Sequence, residues 1–197
     1  QYTTQKNSRA RRSAQTAMYH ILQALVRWLA PILSFTAEEI WRYLPWDKQE
    51  SVLLTTWYDN FGDKITHAEF NEQFWLSLIQ VREQTNRELE KARNAGVIGS
   101  GLAADVDLYC DDSLYQTLTR IGDELRFVLI TSSANIHPLS ARDSQAAVTE
   151  LPNLWISVHA SPHEKCERCW HRRADVGQDT AHPKLCMRCV ENIAGQG

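Results

Sequence analysis

The sequence predicts a mainly α-helical chain with a small α/β part and a C-terminal segment held together by a metal ion. Three observations support this fold class. Apolar residues recur at helical spacing through most of residues 8–96, polar and apolar residues alternate over 105–110, and four cysteines cluster in residues 161–197. The 43% hydrophobic and 23% charged residues are the balance of an ordinary globular protein.

The first region, residues 1–96, is predicted to begin with two helices. Apolar side chains recur at helical spacing as far as Leu29, and Pro31 then ends or perturbs this first helix. A second helix is expected to start at a capping box, in which Thr36 accepts from a backbone amide and Glu39 reaches back. It should stop before Pro45.

A loop and one long helix complete this first region. Residues 45–67 are predicted to be a loop that contains a short extended piece at 51–54. The following helix, 68–95, carries one apolar stripe that includes Phe74 and Leu78. Gly96 is the expected C-cap, because glycine adopts the left-handed conformation that ends many helices.

The second region, residues 97–160, is predicted to be a small mixed α/β unit. It is expected to begin with a half-buried strand at 105–110, followed by a helix that a capping box of Ser113 and Gln116 opens. A buried strand at 126–131, an exposed loop at 138–150 and a strand at 154–160 are expected to follow. Cys110 is expected to be a small buried hydrophobic residue of this unit.

The third region, residues 161–197, contains too few large aliphatic side chains to fold around a core of its own. Cys166 and Cys169 form one C-x-x-C pair, Cys186 and Cys189 form another, and sixteen residues separate the pairs. This separation lies within the roughly 15 to 20 residues typical of structural zinc sites. Two such pairs complete a tetrahedron around one Zn²⁺ and leave no position for a reactive water. We therefore predict one structural zinc, whose binding is coupled to folding.

Other interpretations of the cysteines stay open. Disulfides would require an oxidising compartment. A redox C-x-x-C would require a thioredoxin-like strand and helix around it, which the sequence does not indicate. One of the histidines His163, His171 and His182 could also replace a cysteine as a ligand.

Basic and aromatic residues surround the cysteines and predict a contact surface for RNA, although the formal net charge is only −3. A planar indole beside guanidinium groups suits an unstacked base and its phosphates. The candidate RNA contacts are Arg168, Trp170, His171, Arg172, Arg173 and Arg188. The alternative is that these charges are solvated and offset nearby acids and thiolates, with Trp170 packing the small core. A second basic cluster, Lys6, Arg9, Arg11 and Arg12, has the same two interpretations.

Two motifs carry a resemblance to a known family. The segment 29–41, LAPILSFTAEEIW, resembles the helical anticodon-binding domain of class I aminoacyl-tRNA synthetases of the Ile/Val/Leu/Met group. The segment 51–57, SVLLTTW, resembles the segment that follows it in that group. The segments 166–170, CERCW, and 185–189, LCMRC, resemble the terminal zinc finger of bacterial isoleucyl-tRNA synthetases. By order and spacing the resemblance extends over nearly the whole chain.

The resemblance implies three domains: a helical anticodon-binding bundle at 1–96, an α/β junction at 97–160 and a four-cysteine zinc finger at 161–197. It implies a cytoplasmic, ATP-dependent ligase that attaches isoleucine to its tRNA. The family's catalytic signatures, HIGH and KMSKS, are not in this sequence, so no catalytic residue is expected here. Because the first residue is not Met, we interpret the sequence as part of a longer protein whose catalytic domain, upstream, uses the ATP.

The expected partner is an isoleucine-accepting tRNA, contacted by the finger at the anticodon end, and the expected state is a monomer. No stretch is apolar enough to cross a membrane, and no DNA is expected as a partner. Two rival functions stay open. A DNA-repair glycosylase with a similar terminal finger would also bind nucleic acid but would leave the synthetase-like helical segment unexplained, and a non-enzymatic zinc module would dock onto a protein.

Overall fold

The computed structural model describes residues 3–45, 48–60 and 69–195 of the chain. By packing, the chain separates into two compact units, a smaller one within residues 1–67 and a larger one within residues 68–195. The expected fold class, mainly helical with a small mixed sheet and a four-cysteine terminal segment, is confirmed. Among the described residues, no helix has both the length and the apolar character that crossing a bilayer requires.

The smaller unit packs two helices around a buried tryptophan. Helix α1 is Arg9–Leu29, with Ser8 accepting a hydrogen bond from the Arg11 amide, and helix α2 is Ser34–Tyr43. A 3-10 turn at Val52–Leu54 follows. The buried core of this unit consists of Val26, Ala30, Ala37, Trp41, Leu44 and Val52.

Two predicted details of the smaller unit are wrong. Helix α2 begins at Ser34, and its N-cap Leu33 makes no side-chain capping bond, so Thr36 and Glu39 do not form the expected capping box. Residues 52–54 form a 3-10 turn and not an extended piece, because the Glu38 carboxylate accepts from the Ser51 hydroxyl at 2.8 Å and from the Val52 amide at 3.2 Å. This tertiary contact stabilises the 3-10 conformation of residues 52–54.

The larger unit is a four-stranded mixed sheet covered on one face by helices. The strands are β1 Ala104–Cys110, β2 Ser133–Pro138, β3 Ala147–Val148 and β4 Leu154–Ala160, in the order β2-β1-β4-β3. Strand β1 runs parallel to β2 and antiparallel to β4. The helices are α3 Glu72–Asn94, α4 Asp112–Thr119, α5 Leu125–Leu129 and, in the cysteine-rich segment, α6 Met187–Ala194.

The core of the larger unit confirms the predicted strands β1 and β4. Val106, Leu108 and Cys110 alternate along β1 and lie fully buried against α3, α4 and α5, as a half-buried strand requires. Cys110 is thus the small buried residue that was expected. Helix α3 packs on this sheet through Phe74 and Val81, while the division of the chain at residues 96 and 160 stays a prediction.

The predicted strand at 126–131 is wrong. Leu125–Leu129 is the short helix α5, and Ile130 ends it in the left-handed conformation with φ of 59°. The strand that pairs with β1 is instead β2. Helix α4 is capped by Asp111, which accepts from the Leu114 amide at 3.0 Å, and not by Ser113. Part of the expected loop 138–150 forms a 3-10 turn, Leu139–Ala141, and strand β3.

Candidate zinc centre and the surfaces around it

The first C-x-x-C pair lies at the tip of a short hairpin closed by a bridge between Lys165 and Arg172. The Cys166 amide donates to the His171 carbonyl at 2.9 Å, and the Trp170 amide donates back to the Cys166 carbonyl at 2.9 Å. Trp170 adopts φ of 67°, a left-handed conformation uncommon for a bulky residue, which turns the chain directly after Cys169. These backbone bonds bring the two sulfurs of the pair to the same side of the hairpin.

The second pair lies where a loop enters helix α6. Cys186 is the N-cap residue of α6, and Cys189 follows in its first turn with its amide donating to the Cys186 carbonyl at 2.9 Å. The loop between the pairs turns at Gly177, where φ is 86° and an added Cβ would lie 3.2 Å from the Pro183 carbonyl oxygen. Any other residue would be strained at this positive φ and close approach, so glycine is favoured.

The four cysteine sulfurs converge on one point. All four Sγ atoms lie within 4.8 Å of one another, and Cys169 Sγ is 3.7 Å from Cys186 Sγ. A tetrahedral Zn²⁺ with bonds of ~2.3 Å places its sulfur ligands ~3.8 Å apart, so this spacing fits the ion. The Cys186 amide also points at Cys166 Sγ, at 3.4 Å, and such a donor stabilises a thiolate.

No histidine belongs to this cluster within residues 3–45, 48–60 and 69–195. His171 is buried beside the hairpin, where its Nδ1 hydrogen-bonds with the Cys169 carbonyl at 3.1 Å. Burial, and then the nearby Arg126 cation, lower the pKa of His171 below its usual value. The donor set that fits a structural zinc is therefore four sulfurs, and its closed geometry offers no open position for catalysis.

The four cysteines can all be thiolates only around a cation. The hydrogen bond to Cys169, followed by burial, raises the pKa of the Cys186 thiol, and burial raises the pKa of Cys189 to about 11. Thiols with raised pKa values are neutral near pH 7, and four buried thiolates without a counter-charge would repel one another. A bound Zn²⁺ supplies that charge and deprotonates its ligands.

The outer side of the finger carries the exposed aromatic residue. The Trp170 side chain is 58% exposed, and Lys165 Nζ lies 5.0 Å from its ring centroid. Arg168 is half-buried on the same hairpin. The left-handed backbone at Trp170 therefore presents to solvent an indole with a cation over its ring. Exposed aromatic rings in a basic setting can stack on an unpaired base.

The inner side of the finger packs against helix α5. The Phe127 ring contacts two guanidinium groups, and the Cζ atoms of Arg126 and Arg188 lie 4.1 Å and 4.8 Å from its centroid. The His171 ring meets Phe127 edge-on at 5.3 Å. Arg173 lies 3.8 Å from Asp123 Oδ1, and the other oxygen of that carboxylate, Oδ2, accepts from the Arg126 Nε at 2.9 Å. His171, Arg173 and Arg188 therefore contact the α/β unit.

Arg172 connects the finger to the sheet through a backbone hydrogen bond. Its amide donates to the Ser132 hydroxyl at 2.6 Å, and one guanidinium nitrogen donates to the His163 carbonyl at 3.0 Å. Ser132 is fully buried and donates to the Leu102 carbonyl. Sequence reasoning missed Arg126 and Phe127, because residues assigned to a buried strand at 126–131 give no sign that they face a second segment of the chain. It also missed Ser132, which directly follows that predicted strand.

Replacing Phe127 by Ala is expected to loosen the finger without removing its metal. The substitution deletes the ring that both guanidinium groups and His171 contact. Because Phe127 is only partly buried, the cost should lie below the ~3 to 5 kcal/mol of a fully buried ring. Hydrogen exchange of the amides in residues 165–189 should accelerate while zinc content stays at one per chain. Unchanged exchange would contradict the docking role. Val148→Ala, at a 73% exposed position of β3, is the control.

Two family models match the chain. One, described as the anticodon-binding domain of tRNA ligase, matches residues 1–108, and the other, described as the zinc finger found in FPG and IleRS, matches residues 164–192. The first covers more than half of the chain. The second begins and ends close to the hairpin and helix that bring the four sulfurs together, and it covers all four cysteines.

Curated relatives match from end to end of the chain. An isoleucine–tRNA ligase of Nitrosococcus oceani is 56% identical over 197 residues, one of Pseudomonas aeruginosa PAO1 is 52% identical over 197, and one of Thioalkalivibrio sulfidiphilus is 54% identical over 200. Each match covers 100% of this chain and 21% of the relative. The chain therefore spans about a fifth of the length of the relatives that it matches.

Proposed function

Since this chain belongs to the family of anticodon-binding domains of tRNA ligases, which bind tRNA, we propose that it is the tRNA-recognising C-terminal region of a bacterial isoleucine–tRNA ligase. The observation that carries the proposal is the combination, in one chain, of the anticodon-binding match over residues 1–108 with the finger match over 164–192. The finger alone is shared with a second class of protein, so the combination discriminates.

In this proposal, binding and catalysis are divided between parts of the ligase. The segment described here binds tRNA and one structural zinc, with Cys166, Cys169, Cys186 and Cys189 as the ligands. Activation of isoleucine with ATP, and its transfer to tRNA, take place in the remainder of the ligase, since the signature motifs are not in this sequence. Contacts at the anticodon end hold the acceptor end in the catalytic site, where remote binding energy favours the transition state.

The outer side of the finger is the proposed contact for anticodon-loop bases. Trp170 supplies an exposed stacking face, and Lys165 beside it supplies a cation for the adjoining phosphate. Arg168 on the same hairpin is the second candidate for a phosphate contact. Arg172 closes the same hairpin opposite Lys165. His171, Arg173 and Arg188 support this surface from the inner side through Phe127 and Asp123.

The proposal also specifies the RNA, the cell compartment and the oligomeric state. The RNA is an isoleucine-accepting tRNA, the compartment is the cytoplasm, and one ligase molecule acts as a monomer. DNA is not a partner in this proposal. A competition experiment separates the two nucleic acids, because excess duplex DNA containing damaged bases should not displace bound tRNA from the chain.

Replacing Trp170 by Ala is expected to weaken tRNA binding by about 1 to 3 kcal/mol, the range for loss of one base–aromatic stack. Affinity should be measured by filter binding with isoleucine-accepting tRNA at several salt concentrations. Because the indole carries no charge, the dependence of log affinity on log salt should keep its slope. Lys165→Gln should instead reduce the magnitude of that slope by the amount that about one phosphate contact contributes.

Two variants control this experiment. Trp170→Phe keeps a stacking ring and should retain most of the affinity, and Trp75→Ala removes a half-exposed indole from helix α3 and should retain all of it. If Trp170→Ala binds tRNA as tightly as the unchanged chain, the assignment of the outer finger surface is wrong, while the family and the zinc site are unaffected.

A further inference from the structure

One of the four cysteines of the finger is less buried than the others. Cys166, Cys186 and Cys189 are at most 2% exposed, whereas Cys169 is only partly buried. Zinc bound at this site keeps its sulfur ligands as thiolates, and an accessible thiolate is the form of cysteine that oxidants and electrophiles attack. Reaction at this cluster should therefore begin at Cys169.

The position of Cys169 in the hairpin favours such a reaction. Cys169 stands between Arg168 and Trp170, and the Trp170 side chain, which is 58% exposed, leaves the hairpin open to solvent on that side. The adjoining acid, Glu167, is paired with Lys184 Nζ at 2.8 Å. A neighbouring cation with its nearby acid already paired favours the reactive thiolate form of a cysteine.

A second sulfur lies in contact with that of Cys169. The Sγ atoms of Cys169 and Cys186 are 3.7 Å apart, and a disulfide of ~2.05 Å requires them to approach by less than ~2 Å. The other two sulfurs are held differently, because Cys166 Sγ faces the Cys186 amide at 3.4 Å and Cys189 lies in the first turn of α6. Cys186 precedes this helix, in extended backbone with ψ of 157°, and is the sulfur placed to react with an oxidised Cys169.

We propose that Cys169 is an oxidation site of the finger and that its oxidation forms a reversible disulfide with Cys186. The oxidant is a hydroperoxide such as hydrogen peroxide. The Cys169 thiolate attacks one peroxide oxygen, the O–O bond breaks and hydroxide leaves, so that the sulfur loses two electrons and becomes a sulfenic acid. The Cys186 thiolate then attacks this sulfur, the S–S bond forms and a second hydroxide leaves. Two protons from solvent convert both hydroxides to water.

The disulfide joins the two C-x-x-C pairs and removes two of the four ligands. Cys166 and Cys189 remain, and two sulfurs do not complete a tetrahedral site, so the finger should lose its zinc. The new bond spans the sixteen residues between Cys169 and Cys186 and keeps the hairpin linked to α6. Thiols reduce such a bond by exchange, after which zinc binds again. Oxidation is therefore a reversible change of the finger and not permanent damage.

Oxidation should also weaken tRNA binding, and this part of the inference rests on the proposed function. Trp170 directly follows Cys169, so a shift of Cys169 towards Cys186 moves the indole that is the proposed base contact. Loss of one base–aromatic stack corresponds to roughly 5- to 150-fold weaker binding. Reduction with dithiothreitol in the presence of zinc should restore the affinity.

The test is treatment of the zinc-loaded 197-residue chain with a small molar excess of hydrogen peroxide. A chromogenic chelator follows the released zinc, and iodoacetamide then blocks the free thiols. The denatured chain is digested with trypsin without reduction, and trypsin cuts after Lys165, Arg168, Arg172, Lys184 and Arg188. Each of the four cysteines is then in a separate peptide. Mass spectrometry should find peptide 169–172 joined to peptide 185–188, with one zinc ion released per disulfide.

Two matched variants test the role of Cys169. Cys169→His keeps a zinc ligand and removes the reactive sulfur, so it should retain zinc in peroxide. Cys166→His makes the same change at a buried position and should still lose its zinc in peroxide, because Cys169 and Cys186 remain. Cys110→Ala, in the sheet core, should release zinc as the unchanged chain does. If a histidine variant binds no zinc, the peptide map of the unchanged chain decides.

Accessibility is measured independently by brief alkylation of the unchanged chain with zinc bound, in which Cys169 should be labelled first. First labelling of Cys166, Cys186 or Cys189 would overturn the proposal. So would zinc retention in peroxide without a disulfide, a disulfide that joins peptide 166–168 to 169–172, and equal zinc loss from zinc-loaded Cys169→His.

Filter binding of isoleucine-accepting tRNA to the oxidised and the reduced chain completes the test. Equal affinity of the two forms would overturn the inferred effect of the disulfide on tRNA binding. A reduced, zinc-loaded chain that binds no tRNA would instead reject the proposed function, whereas the peptide map and the zinc release would still decide the oxidation site.

Discussion

Replacing Cys186 by Ser is expected to abolish stoichiometric zinc binding and to unfold the finger, the largest effect of any single change in this chain. Metal binding contributes on the order of 10 kcal/mol or more to such segments, which have almost no core without it. Here the buried cluster consists of Cys166, Cys186 and Cys189, with Cys169, Val176 and Leu185 packed against it. A three-sulfur site would leave its metal open to chelators.

Zinc content by atomic spectroscopy after mild chelation is the first measurement, and it should fall from one ion per chain towards none. Limited trypsin digestion is the second. Lys165 and Arg168 lie in the folded hairpin and Arg188 lies in α6, so unfolding of the finger should allow rapid cleavage at these residues. Cys110→Ala is the control, because Cys110 is buried in the sheet core and outside the sulfur cluster.

Full zinc content and full resistance to trypsin in Cys186→Ser would contradict the four-sulfur site. The pH dependence gives an independent check. The pKa values of the Cys186 and Cys189 thiols are raised without a metal, so zinc uptake must release protons. Apparent zinc affinity should therefore fall as the pH falls, and protons should appear in solution when zinc is added to the metal-free chain.

Replacing Trp41 by Ala is expected to destabilise the smaller unit by about 3 to 5 kcal/mol, the range for deleting a large buried aromatic side chain. The indole is 1% exposed, and its Nε1 donates to the Gln49 carbonyl at 2.8 Å. Arg27 Cζ lies 5.0 Å from the centroid of the Trp41 ring, so the substitution would also remove the aromatic partner of this guanidinium group. Few other groups in this small core can take over these contacts.

Hydrogen exchange resolved to helices α1 and α2 should measure this loss, because a chain of two compact units gives no single melting transition. Exchange in α3 and the sheet should not change. Trp41→Phe keeps most of the buried area and loses the hydrogen bond, so its effect should be about 1 to 2 kcal/mol. Tyr43→Ala, at an 81% exposed position of the same helix, should be nearly neutral. Equal protection in all variants would exclude Trp41 as the centre of this core.

The resemblance predicted a family that the match over residues 1–108 confirms, and the cysteine spacing predicted a cluster that the sulfur positions confirm. Both signals are local. A C-x-x-C pair closes within four residues, so its geometry depends little on the rest of the chain. The identities of the RNA contacts are a different case, since they depend on which side of the hairpin each residue occupies.

The sequence by itself predicted the four converging cysteines, the strands at 105–110 and 154–160 and the helical first region, because spacing and alternation are properties of the chain alone. Only the tertiary structure decided that Leu125–Leu129 is a helix, since a short apolar run has no periodicity that separates helix from strand. The same helix places Phe127 under the finger, and this packing turns Arg188 and His171 inward while Trp170 stays exposed.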